Sequence, residues 1–289
     1  MTKYILMVLT GAVSYGILSS FVKLAYGYGY HSAEIAFLQA LLGALLLLGV
    51  WGASGKPNAS RSQIPLLLVA GAAIGAATFL YYLSVKYIPA SVAIVLLMQF
   101  TWFSLLLEWL FFRKRPLLSE GIITVVILGG SVLASGLLAQ GPFLLSLRGV
   151  VIVLCASVVY ALYIVINSRA DKATSWQAKS AWMMIGSAVA IFLMNFHSLV
   201  FENHFGLGLL KWGVFLAFFG TVLPPILFAI GMPKIGASTS GLVLTAELPV
   251  AVLTAHFLLK EPISFSQLMG IALMLGSLIA LNRVTRQKQ

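Results

Sequence analysis

The chain has 289 residues, of which 61% are hydrophobic and 9% charged, and a formal net charge of +11. Soluble domains hold about 45–50% apolar and about 25% charged residues, so this chain cannot cover a water-facing surface and reads as an integral membrane protein with the lipid bilayer as its surroundings. Its basic residues fall mainly in short loops between apolar segments, where they orient helices against anionic headgroups; this distribution argues against a nucleic-acid partner.

Crossing the hydrocarbon core takes about 20 apolar residues as a helix. Ten such stretches follow one another, at 4–22, 33–51, 64–85, 90–112, 119–138, 149–167, 177–197, 211–230, 238–258 and 264–282. Polar or Gly/Pro-rich breaks separate most of them, including Gly52 to Ser62, Arg113 to Pro116, Gly141-Pro142 and Ser168 to Ser175. The slightest breaks are Lys86–Pro89 and Lys234–Gly236, yet merging spans there would give helices too long for an ordinary tilt. Lys3 precedes an apolar run to Phe21 without a convincing small-residue cleavage site, so no cleavable leader is expected. Cys155 has no partner for a disulfide.

With the N-terminus inside, thirteen Lys and Arg fall in cytoplasmic segments and five (Lys23, Lys86, Arg148, Lys211 and Lys260) outside. The positive-inside rule then places both termini in the cytoplasm. Asn58-Ala59-Ser60, a formal glycosylation sequon, falls in a loop on the inner side and carries no weight. Aromatics agree with this topology, with Tyr26, Tyr28, Tyr30 and Trp212 near the outer interface and Trp51 and Trp176 near the inner one.

The chain also repeats itself at an offset of about 147 residues. Tyr87-Ile88-Pro89-Ala90-Ser91 opens a run that ends in Arg113-Lys114-Arg115-Pro116; Lys234-Ile235-Gly236-Ala237-Ser238 opens one that ends in Lys260-Glu261-Pro262. Gly130-Ser131 and Gly276-Ser277 follow in the next stretches. Five helices per half is an odd number, so the second half starts from the opposite side. The expected architecture is an all-α membrane protein of ten helices in two inverted five-helix repeats, residues 1–140 and 146–289, an arrangement typical of carriers.

Several chemistries have no footing. Pro57 follows Gly55-Lys56 where a phosphate loop needs Ser or Thr, so ATP-driven transport by this chain alone is not expected. There is no His-Glu-x-x-His, the only Asp is Asp171, and His31, His197, His204 and His256 are far apart in sequence at helix ends. Neither a metal site nor a cofactor is expected.

Polar groups at membrane depth are the candidates for function. Glu247 lies mid-helix two residues before Pro249 and is a candidate for substrate binding and proton coupling. The bland alternative is a neutral Glu hydrogen-bonded between helices. Ser240, Glu247 and Thr254 recur every seven residues and share a helix face. Tyr160, Tyr163 and Asn167 share another, as do Gln99 and Trp102; Tyr82 precedes Lys86 by one turn and Tyr15 precedes Ser19. Aromatic faces with occasional amides suit an amphipathic organic solute, although such rings also serve as helix packing. Glu34 and Glu108 sit near helix ends; Glu108, five residues from Arg113, suits an interfacial ion pair. Gly71-Ala72-Ala73-Ile74-Gly75 allows close helix contact.

Taken together, the run from Gly231 through Glu247-Leu248-Pro249 to Lys260-Glu261-Pro262, with Gly270 and Gly276-Ser277 beyond it, resembles the EamA-like carriers of the drug/metabolite transporter superfamily. Ser14-Tyr15-Gly16 and Lys23 resemble that family's opening helix. The first half departs from the pattern, with Thr101-Trp102 where Pro is usual and Lys114-Arg115-Pro116 in place of an acidic turn. The resemblance implies inverted repeats around a central cavity and export of small metabolites such as amino acids from a bacterial plasma (inner) membrane. It leaves the substrate open. The expectation is thus a secondary active transporter working by alternating access, not an enzyme. Its substrate site would comprise Glu247, Tyr15, Tyr82, Gln99, Trp102, Tyr160, Tyr163 and Asn167, and the chain would act as a monomer or homodimer. An importer or passive facilitator, and more remotely a lipid-modifying enzyme, are the alternatives.

Overall fold

The computed structural model describes residues 2–55, 60–88, 90–135, 146–171, 173–202, 204–260 and 262–286. Lys56, Asn58-Ala59 of the sequon, Pro89, Gly141-Pro142, Lys172, Glu261, Lys288 and the Ser19 side chain lie outside the described residues. Within them the chain is helical: α1 (Thr2–Gly27), α2 (Ser32–Ala53), α3 (Ile64–Ser84), α4 (Ala90–Leu97), α5 (Phe100–Phe112), α6 (Leu118–Ala134) and α7 (Leu147–Ser168). There follow α8 (Trp176–Met194), α9 (Phe196–Phe201), α10 (Leu207–Leu216), a π-helical turn (Ala217–Val222), α11 (Leu223–Leu244), α12 (Glu247–Leu259) and α13 (Phe265–Arg286).

Local chemistry sets the starts. Glu34 of α2 accepts the His31 amide at 2.8 Å, Glu120 of α6 accepts the Leu117 amide at 3.0 Å, and Ser175 accepts the Ala178 amide before α8. Pro65 stands in the first turn of α3, where its missing N–H costs nothing.

Among the described residues, seven helical runs are long and apolar enough to cross a bilayer. The chain is a multi-pass membrane protein. The last run, Leu207–Leu259, covers 53 residues, more than twice a single crossing. Gly236 divides it at the break expected there, with φ 81° and ψ 168°, a conformation open to glycine.

Two backbone features recur at an offset of 147 residues. The helix break at Met98-Gln99, between α4 and α5, matches the one at Thr245-Ala246, between α11 and α12, at the offset of the sequence repeat. Two non-glycine residues with left-handed φ, Arg113 at 53° and Lys260 at 58°, cap α5 and α12 at that offset too. In the second copy Pro249 explains the break, because it cannot donate to the Thr245 carbonyl. Trp102 holds that place in the first copy, and the break persists. Hydroxyls serve the loosened carbonyls in both copies: Thr101 donates to Met98 at 2.9 Å and Thr245 to Leu242 at 2.7 Å.

Small residues let helices close in around the core. A Cβ on Gly71 would strike the Met183 backbone, one on Gly75 would meet Ser187, and one on Gly186 would strike Leu68, so α3 and α8 cross almost backbone to backbone. At one end of the bundle, buried Glu108 draws three segments together. It accepts from Lys114 Nζ at 3.2 Å, Arg169 at 3.0 Å, and the Ser238 amide and hydroxyl at 3.3 Å each. The partner is Lys114 in place of the expected Arg113, because the left-handed turn at Arg113 redirects the chain and brings the next side chain back to the carboxylate.

Candidate functional site

A cavity of about 80 Å³ opens among α1, α2, α3, α4, α7, α8, the π turn and α12. That is below the ~300–1,000 Å³ of typical small-molecule pockets. Four tyrosines face it: Tyr15 from α1, Tyr81 and Tyr82 from α3, and Tyr160 from α7. Glu247 enters as the first residue of α12, where the helix break turns it out of the packed core and leaves it partly exposed toward the cavity. Gln39, Thr78, Ser187, Gly220 and Thr221 supply the remaining polar wall.

The cavity's polar atoms are unevenly satisfied. Glu247 Oε2, Gln39 Oε1 and the Tyr160 hydroxyl are each buried without a hydrogen-bond partner in the protein. Native proteins rarely leave such atoms unpaired, because each forfeits its hydration without replacement. Three of them around one cavity point to a polar ligand or to water that shares this space.

The π turn builds one wall. Consecutive Pro224 and Pro225 cannot donate to the carbonyls of Gly220 and Thr221, so the preceding turn widens. Side chains then take up the slack: Ser14 donates to the Phe219 carbonyl, and Thr221 donates both to the Gln39 carbonyl at 2.8 Å and to Ala217 at 3.0 Å. Gly220 lets the Gln39 amide lie directly against the turn.

Of the eight residues expected in the site from sequence, Glu247, Tyr15, Tyr82 and Tyr160 line the cavity. Tyr163 and Asn167 are fully buried one layer behind. Asn167 donates to the Tyr163 hydroxyl at 3.2 Å and to Met232 Sδ at 3.3 Å, and Tyr163 stacks on Tyr160 at 6.1 Å. Gln99 and Trp102 do not line the cavity. The Trp102 indole donates to Gln99 at 2.8 Å, and Trp102 is 38% exposed, stacked on Phe103. Ser240 is buried, and Thr254 faces a separate groove with Phe21 and Phe257, because the break before Glu247 interrupts the seven-residue face. Lys86 is exposed beyond α3. Gln39, Tyr81 and Thr221 were missing from the expected set; a lone amide in the apolar run of α2 was the available signal for the first.

The histidines also depart from expectation. His31 and His204, remote in sequence, approach to 5.2 Å between ring centroids beside Glu34.

The model of the EamA-like transporter family matches this chain over residues 2–136 and again over 147–283. The chain belongs to the EamA-like transporter family. The threonine/homoserine exporter RhtA of Escherichia coli K12 is 25% identical over 261 residues, covering 88% of this chain and 84% of that protein. An uncharacterized transporter of Bacillus subtilis, YwfM, is 27% identical over 289 residues, covering 99% and 96%. A solved crystal structure superposes with a TM-score of 0.81 at 15% identity, over 100% of this chain and 99% of that one, which shows a shared fold. Family membership makes this EamA-like protein a transporter, and its bacterial relatives put it in a bacterial plasma membrane.

Proposed function

We propose that this chain is a secondary carrier that exports a small amphipathic metabolite of the amino-acid class by alternating access, as ten helices in two inverted five-helix repeats with both termini cytoplasmic. The observation that carries the reading is the cavity in which Glu247, Gln39 and Tyr160 present unpaired polar atoms among four tyrosine rings. A carboxyl, an amide and aromatic faces suit a solute that bears an ammonium group and some apolar surface. The double match of the family model, the paired helix breaks and the paired left-handed caps support the repeat over 1–140 and 146–289. RhtA, an exporter by name, supports the direction.

In this reading Glu247 anchors the substrate and carries the coupled proton. Tyr15, Tyr81, Tyr82 and Tyr160 form the walls, with Tyr163 and Asn167 holding Tyr160 from behind. Gln99 and Trp102 take no part in binding. Glu247→Gln is expected to abolish pH-dependent transport in liposomes while leaving folding intact; normal transport at every pH would overturn the role of Glu247. Counterflow under an imposed pH gradient separates export from import or passive facilitation.

A further inference from the structure

His31, Glu34 and His204 meet at the end of the bundle remote from Glu108. In the first turn of helix α1 stands Tyr4, whose ring centroid lies 6.0 Å from Lys234 Nζ, close to the Glu108 partner Ser238 in the chain. It runs 26 residues, about 39 Å, and ends where Tyr28 packs on Trp212 of α10 at 5.7 Å. His31 follows that end.

The geometry there is specific. Glu34 is fully buried, and its two oxygens diverge: Oε2 lies 3.6 Å from His31 Nδ1 and Oε1 lies 3.1 Å from His204 Nδ1. The backbone amides of His31 and His204 donate to the same two oxygens and fix the carboxylate in place. Beyond the amide bonds, the second lone pair of Oε1 faces His204 Nδ1 at 3.1 Å and that of Oε2 faces the His31 side. The histidine side chains are 51% and 60% exposed, so solution species can reach both rings. One donor atom from each residue lies within 4.8 Å of the others. Ligands held at about 2.0–2.2 Å from a zinc ion stand roughly 3–4 Å apart, and two imidazoles with one carboxylate leave a fourth position for water.

We propose that His31, Glu34 and His204 bind a divalent first-row transition metal, Zn²⁺ in the first instance. Imidazole nitrogens select such ions over Mg²⁺ and Ca²⁺, which need a mostly oxygen set. The ion would join the turn after α1 to the segment leading into α10, elements 170 residues apart. The site stands apart from the central cavity, so the proposal does not depend on the transport reading.

The test is isothermal titration of ZnCl₂ into purified full-length protein in detergent, freed of its affinity tag and pre-treated with a chelator. One equivalent of Zn²⁺ is expected to bind with micromolar affinity, and Mg²⁺ to give no heat. His31→Ala and His204→Ala should each weaken binding at least tenfold. His197→Ala should not, although His197 lies 3.7 Å from Glu202. Size-exclusion profiles and thermal unfolding of the histidine variants, whose side chains are solvent-facing, check that they fold. X-ray absorption at the zinc edge should report two imidazoles in the first shell. Absence of stoichiometric binding, or binding unchanged in the His31→Ala/His204→Ala double variant, overturns the proposal.

Discussion

Replacing Glu247 by leucine distinguishes a carboxyl held for a ligand from one held for the fold. Glu247 Oε2 has no partner in the protein, and a buried polar atom costs up to about 1–3 kcal/mol of stability when neither water nor ligand meets it. Leucine, of similar volume, carries no such cost. Glu247→Leu is therefore expected to be at least as stable as the parent, and by up to about 1–3 kcal/mol more so, while losing transport. Glu108→Leu is the internal contrast, because Glu108 accepts from Lys114, Arg169 and Ser238. Its basic partners are 50% and 40% exposed and can rehydrate, so the expected loss is about 1.5–3 kcal/mol, less than for a fully buried pair. Thermal unfolding in detergent, followed through the intrinsic fluorescence of the six tryptophans, measures both variants side by side. If Glu247→Leu unfolds as early as Glu108→Leu, Glu247 is a structural tie and the argument from its unpaired oxygen fails.

Other predictions test the cavity wall and the helix crossings. Gln39→Ala should lower apparent substrate affinity in liposome uptake about tenfold, the equivalent of one lost hydrogen bond. Trp102→Phe, which alters a residue outside the cavity, should stay within about twofold of the parent. Gly71→Val should lower thermal stability by about 1–3 kcal/mol or prevent folding, since its side chain would enter the Met183 backbone. Gly129→Val is the control, with open space around it.

Much of the helical layout was legible because length and hydropathy alone decide what can sit in lipid. The break at Gly236 was legible; Pro249 carried the signal for the one before Glu247, yet the stretch 238–258 read as one helix with Glu247 in its middle, whereas Glu247 opens α12. The break at Met98-Gln99 has no proline and was invisible in sequence. Glu247, Tyr15, Tyr82 and Tyr160 stood out as polar or amphipathic groups in apolar runs. Gln99 and Trp102 looked equivalent to them, because helical spacing shows which residues share a face and not whether that face meets lipid or cavity. The widened turn before Pro224-Pro225, which completes the wall with Thr221, had its signal in the two prolines. The approach of His204 to Glu34 and His31 had none, because it depends on tertiary packing, across 170 residues in the case of Glu34.

Among the described residues, Glu247 is the one acidic residue that lines the cavity. In the proposed cycle this sets a stoichiometric ceiling of one proton per turnover. One proton moving down one pH unit supplies about 1.4 kcal/mol, and 100 mV of membrane potential about 2.3 kcal/mol more. For a solute with no net charge, the steepest gradient such a carrier could sustain under those conditions is roughly 500-fold. A relative with a second acid at the position of Phe100, the counterpart of Glu247 in the first repeat, would work against the square of that limit.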